Sequence, residues 1–127
     1  MRKLITRFVK KWMRREHVTN VMLMQAIQNL EDGLSTANLG SSLFKVRVAR
    51  RGQGKSSGYR ALIVYRQGDR AIVVYGFKKS DSDNIADDEL AFFRELAATL
   101  LALSEQQIEV AIENQELCEI EEDSDER

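Results

Sequence analysis

Residues 44–79 read FKVRVARRGQGKSSGYRALIVYRQGDRAIVVYGFKK, and this stretch decides the fold. Phe44, Val46 and Val48 alternate with Lys45, Arg47 and Ala49, the period of a strand with one buried face. Lys45 and Arg47 then line up on the opposite face. Residues 59–66 and 70–77 are two further β-like runs, rich in branched and aromatic side chains. Gln67, Gly68 and Asp69 join them as a tight turn, so the pair is expected to be an antiparallel hairpin. Between the first and second runs lies RRGQGKSSG, a loop of glycine, serine and cations. Asp69 is the one acid against ten Lys and Arg in the whole stretch. Amides of a Gly/Ser loop, with Lys and Arg beside them, grip phosphates well, so the segment suits a polyanion. The competing reading is a half-exposed sheet whose outer face is merely solvated by its cations.

Outward on the N-terminal side, the spacing predicts a helix over 3–16. Leu4, Ile5, Phe8, Val9, Trp12 and Met13 would share its inner face, with Arg7, Lys10, Lys11, Arg14 and Arg15 largely outside. Phe8 and Trp12 are expected to be buried. Thr19 or Asn20 can cap a second helix running to about Leu30, with Met22 or Leu23, Ala26, Ile27 and Leu30 inward and Gly33 beyond its end. The pair reads as a helical hairpin with a basic outer face. Residues 35–42, STANLGSS, read as a plain connection. On the C-terminal side, SDSDN is a polar loop before a helix over 85–103. Leu90, Phe93, Leu96, Ala97, Leu100 and Leu101 form that helix's stripe, and Asp87, Asp88 and Glu89 suit its positive end. Ser104 can cap a last helix with Ile108, Ala111 and Ile112 inward, and LCEI at 117–120 alternates as a short strand.

The bulk numbers bound what this piece can do. A chain of 127 residues with 43% hydrophobic residues is long enough for one domain with a real core. Residues 1–120 are expected to form it, and the acidic residues 121–127 to be a disordered tail. No apolar run reaches the roughly 18 residues of a membrane span, and the N-terminus has no signal-like apolar region. One cysteine, Cys118, cannot make an internal disulfide, so a cytoplasmic location is expected. The net charge of −1 hides a strong asymmetry: 17 Lys and Arg stand against 4 Asp and Glu before residue 80, and 2 against 16 from there on. A basic half of this kind points to nucleic acid.

Several chemistries are excluded. One His and one Cys, distant in sequence, give no zinc spacing, and no metal or other cofactor is expected. His17 lies between two helices with no nucleophile pattern around it. Gly52-Gln53-Gly54-Lys55-Ser56 lacks the frame of a nucleotide phosphate loop, and a strand follows it, not a helix. A cationic site remains, with Tyr59, Tyr65 and Tyr75 as possible stacking platforms for bases. Such a site can also cleave RNA without metal or histidine. Arginine stabilises charge on a transferring phosphate, and a lysine whose pKa neighbouring cations hold down can take a 2′-hydroxyl proton.

The run LGSSLFKVRVARRGQGKSSGYRALIVYRQGDRAIVVYGFKKSDSDNI resembles the RelE-like toxins of bacterial type II toxin–antitoxin modules, in the branch with the GKSSGYR loop. The ordered pair of Gly54–Arg60 (GKSSGYR) and Tyr75–Lys79 (YGFKK) is the specific part. The resemblance extends from about Phe8 to Ile120. It implies an α+β fold: an N-terminal helical hairpin packed on a small antiparallel sheet, followed by C-terminal helices. It also implies an endoribonuclease that cuts mRNA, in many relatives on the ribosome, through the substrate's own 2′-hydroxyl. By position, Arg60 matches the family's phosphate-stabilising arginine. Lys45 and Arg47 match the basic pair on the preceding strand, and Lys45 is the better proton acceptor because arginine is a poor base. Lys79 stands where relatives often have an arginine. Arg50, Arg51, Lys55, Tyr59 and Lys78 would contact RNA. The partners implied are a cognate antitoxin and mRNA, with a homodimer or a toxin–antitoxin hetero-oligomer as assembly; no membrane is implied. The alternative is a relative that binds nucleic acid or a partner without cleaving.

Overall fold

The computed structural model describes residues 1–34, 37–49, 58–79 and 85–121. It is an α+β fold of six strands and four helices among those residues. In chain order these are β1 (Arg2–Thr6), α1 (Arg7–Glu16), α2 (Asn20–Glu31), β2 (Ala37–Asn38), β3 (Leu43–Val48), β4 (Tyr59–Arg66), β5 (Arg70–Lys78), α3 (Asp87–Ala102), α4 (Glu105–Glu113) and β6 (Leu117–Glu119). The sheet order is β2-β3-β4-β5-β1-β6.

The chain opens with a strand where a helix was expected. Leu4 and Ile5 are both fully or almost fully buried, but on opposite faces of the sheet, which a helix could not achieve for adjacent residues. β1 runs parallel to β5 and antiparallel to β6, so the sheet is mixed and not wholly antiparallel. A strand covered on both sides is apolar without alternation, which makes it easy to read as helix. The sequence mark that divides β1 from α1 is Thr6, whose Oγ1 accepts from the Val9 amide at 3.2 Å as an N-cap. The expected helical hairpin is thus a strand followed by two helices, each laid on the sheet.

Helices cover both faces. On one side Val9, Trp12, Met13, Leu23, Ala26, Ile27 and Leu30 of α1 and α2 meet Val46, Val48, Ala61, Ile63, Ala71 and Val73. On the other, Phe93, Ala97 and Leu100 of α3 and Ile108 of α4 meet Leu43, Leu62, Val64, Ile72 and Val74. The half-exposed sheet is therefore not what forms, and β4 is buried along six consecutive residues. The caps fall where the sequence put them. Thr19 Oγ1 accepts from the Met22 amide at 3.2 Å and Ser104 Oγ from the Gln107 amide at 3.1 Å. The short strand at the end of the chain also forms, as β6, beside β1.

A guanidinium clamp fixes α3 over the hairpin. Arg70, only 4% exposed, donates from Nη1 to the carbonyls of Leu100 at 2.9 Å and Leu103 at 2.8 Å. Arg66 Nη2 donates to Leu101 O at 3.1 Å. These carbonyls lie in the last turn and at the C-cap of α3, where intrahelical donors run out, and Leu100 O accepts besides only from the Leu103 amide at 3.4 Å, so the two arginines cap the helix end. The clamp puts the end of α3 at the β4–β5 turn, while Phe93 lies against Tyr75 farther along β5. α3 therefore runs back over the sheet towards the turn. Its start, with Asp87, Asp88 and Glu89, lies toward the end where β4 begins and β5 finishes.

Candidate nucleic-acid interface

Strand register decides which cations meet. Arg47 of β3 pairs with Arg60 of β4, and Lys45 with Leu62 two residues along. Arg60 in turn pairs with Phe77 of β5. Paired residues share a face, and so do residues two apart. Lys45, Arg47 and Arg60 thus share the α3 side, together with Tyr75 and Phe77. Past β5, the Lys79 amide donates to Gly58 O at 3.3 Å, which carries the alternation one residue beyond the strand, on the Arg60 side. The four groups span three adjacent strands, about 10 Å.

Their exposure differs. Arg47 is exposed at the sheet edge, where it also borders a groove beside α2 lined by Val21, Met22 and Gln25. Lys45 and Lys79 are half-buried. Arg60 is only 7% exposed, and its Nη1 donates to its neighbour's carbonyl, Tyr59 O, at 3.2 Å. Its guanidinium is therefore held by the fold, unlike the swinging side chain usual at a surface.

Two other candidates are placed elsewhere. Tyr59 is 4% exposed on the opposite face, edge-on to Trp12 at 5.5 Å, and its hydroxyl donates to Glu16 O at 3.0 Å. Its ring is core, which a stacking platform cannot be without opening the α1 contact. Lys78 also turns to the α1 side, with Nζ 3.4 Å from Glu16 Oε1. Period-2 alternation alone separates Lys78 from Lys79, so their opposite placement could be read from YGFKK once Phe77 was assigned inward. Arg50, Arg51, Lys55 and the rest of the GKSS loop lie outside the described residues, as does the acidic tail from 122 onward.

An aromatic path that sequence reasoning did not single out leads away from the cations. Phe77 contacts Tyr75 at 5.8 Å, Tyr75 contacts Phe93 at 5.0 Å, and Phe93 contacts Phe92 at 5.2 Å. The path ends in an apolar groove beside exposed Phe8.

With this geometry in place, a comparison with protein-family models is decisive. Residues 1–120 match the model described as the RelE toxin of the RelE/RelB toxin–antitoxin system. The chain belongs to the RelE toxin family. It is therefore of the toxin type of a toxin–antitoxin system, a family whose members generally cleave mRNA and pair with an antitoxin. A search of curated proteins gave no match. No helix among the described residues of this RelE-family chain is long and apolar enough to cross a membrane.

Proposed function

We propose that this RelE-family chain is an endoribonuclease that cleaves mRNA, on the ribosome, by metal-independent attack of the 2′-hydroxyl, and so arrests translation. The observation that carries the reading is the row of Lys45, Arg47, Arg60 and Lys79 on one side of three neighbouring strands. Family membership over residues 1–120 supports it. Residues 1–120 would act as one toxin domain.

In this reading the scissile phosphate lies across Arg60 and Lys79. The 2′-oxygen attacks the adjacent phosphorus, and its proton passes to the Lys45 amine. The bond to the 5′-oxygen breaks, leaving a 2′,3′-cyclic phosphate and a 5′-hydroxyl that takes a proton from water. Arg60, already held by the fold, stabilises the charge that grows on the phosphate without reorganising. Arg47 and the loop cations Arg50, Arg51 and Lys55 would hold the flanking backbone. Tyr59 and Lys78 would act from the α1 side, supporting the strand ends that present Arg60 and Lys79. A cognate antitoxin would neutralise the cationic row by covering it.

Induced expression tests this. Wild type should halt growth and deplete reporter transcripts, and the double substitution Lys45→Ala with Arg60→Ala should restore both. A harmless wild type that leaves transcripts intact contradicts cleavage. Salt-dependent RNA binding without product would instead assign a binding module.

A further inference from the structure

The groove at the end of the aromatic path shares Tyr75 with the side of the sheet that carries the cationic row, but none of those cations lines it. Thr6, Phe8, Val74, Tyr75, Phe92 and Leu96 line it, around a space of about 270 Å³. Phe8 is 67% exposed and Phe92 59%, the two most exposed aromatic side chains among the described residues. Phe8 was expected inside, and its exposure follows from where α1 begins. With Thr6 as cap, Val9, Trp12 and Met13 are the residues that face the sheet. Phe8 falls off that face.

No charged residue lines the groove itself, but the helices on its two sides carry opposite charge along the stripes of Phe8 and Phe92. On α1, Lys11 and Arg15 stand three and seven residues after Phe8, on the same stripe. On α3, Asp88 and Glu95 stand four before and three after Phe92, likewise on its stripe. All four are exposed. Among the described residues Lys11, Asp88 and Glu95 make no ion pair, and Arg15 meets only its neighbour Glu16, at 3.5 Å. An apolar groove flanked by one basic and one acidic stripe is complementary to itself. A two-fold axis running along the groove sets each basic stripe against the acidic stripe of a second copy, and lays Phe8 on the Phe92 of that copy. No other partner need be invoked to match both stripes at once.

We propose that this groove is a homodimer interface, in which two copies of the chain pair isologously through Phe8 and Phe92 with Lys11 opposite Glu95. Its small area makes the association reversible, with Kd on the order of 10 µM or weaker. The interface leaves Lys45, Arg47, Arg60 and Lys79 outside it, so it stands independently of the nuclease reading.

Sedimentation equilibrium of the full chain across its micromolar range tests the proposal. Phe8→Ala and Phe92→Ala should each weaken the dimer about tenfold or more, with far-UV circular dichroism unchanged because both rings are largely exposed. Lys11→Glu and Glu95→Lys should each weaken it, and the chain carrying both reversals should regain wild-type association to within about threefold. A chain that stays monomeric at every concentration overturns the proposal. So does a dimer indifferent to both phenylalanine substitutions, or one that the double reversal fails to restore. If the free chain is monomeric and Phe92→Ala instead weakens capture of the antitoxin, the groove belongs to the antitoxin and self-association is overturned.

Discussion

Asp69 shows how one carboxylate in a basic stretch is used. Its Oδ2 accepts from Arg66 Nε at 2.8 Å and from Arg70 Nε at 2.9 Å. Burial acts to raise its pKa, but the hydrogen bonds and charges of Arg66 and Arg70 outweigh it and hold the group below the usual aspartate value. A pKa depressed on folding contributes stability above the unfolded value, near 4, and loses it as pH falls through the folded value. Asp69→Asn should therefore lower stability at neutral pH by about 1–2 kcal/mol in urea titration, and the difference from wild type should shrink below about pH 4. Tyr59→Phe removes the bond to Glu16 O and should cost about 1 kcal/mol in the same assay, while RNA affinity stays as in wild type. Of the single residues, Lys45 and Arg47 were legible from alternation in FKVRV, while Arg60 and Lys79 came from the family resemblance alone. The inward turn of Tyr59 was not legible, because an aromatic residue in a strand serves core and ligand equally well until the opposite layer is known.

Elements were legible where one period dominated. β3, α2, α3 and α4 each show one stripe, α2 and α4 a capping side chain as well, and they form close to where those signals put them. β1 failed that test because burial on both faces erases alternation, and two-residue β2 lay in a connection too short to show any period. The packing of α1 on β5 is the tightest consequence of the actual arrangement. A Cβ added at Gly76 would overlap the six-membered ring of Trp12. A fully buried indole cannot retreat, so Gly76→Ala should destabilise by about 2 kcal/mol or more, read as a fall in melting temperature. The same change in an exposed strand would cost far less.

At the scale of the molecule, the charge asymmetry is resolved by the sheet, though not by simple pairing of the halves. Arg2 alone reaches Glu105 at 3.1 Å, Glu109 at 2.7 Å and Glu119 at 3.2 Å, drawing the acidic C-terminal elements to the first strand. Those carboxylates, Glu109 foremost, raise the Arg2 pKa despite the cost of its burial. Among the described residues, Arg47 and Lys79 have no such acid partner, which leaves charge available at one end of β3–β5. RNA binding should accordingly weaken with salt, and Arg47→Ala with Lys79→Ala should reduce the log–log salt slope by roughly 0.7 for each phosphate left without its cation. The measurement that bears most directly on the central claim is cleavage of mRNA on programmed ribosomes by the purified chain. The account predicts fragments ending in a 2′,3′-cyclic phosphate, with a rate about 10²-fold or more lower for folded Arg60→Ala. Intact mRNA with wild type, or equal cleavage by Arg60→Ala, would contradict it.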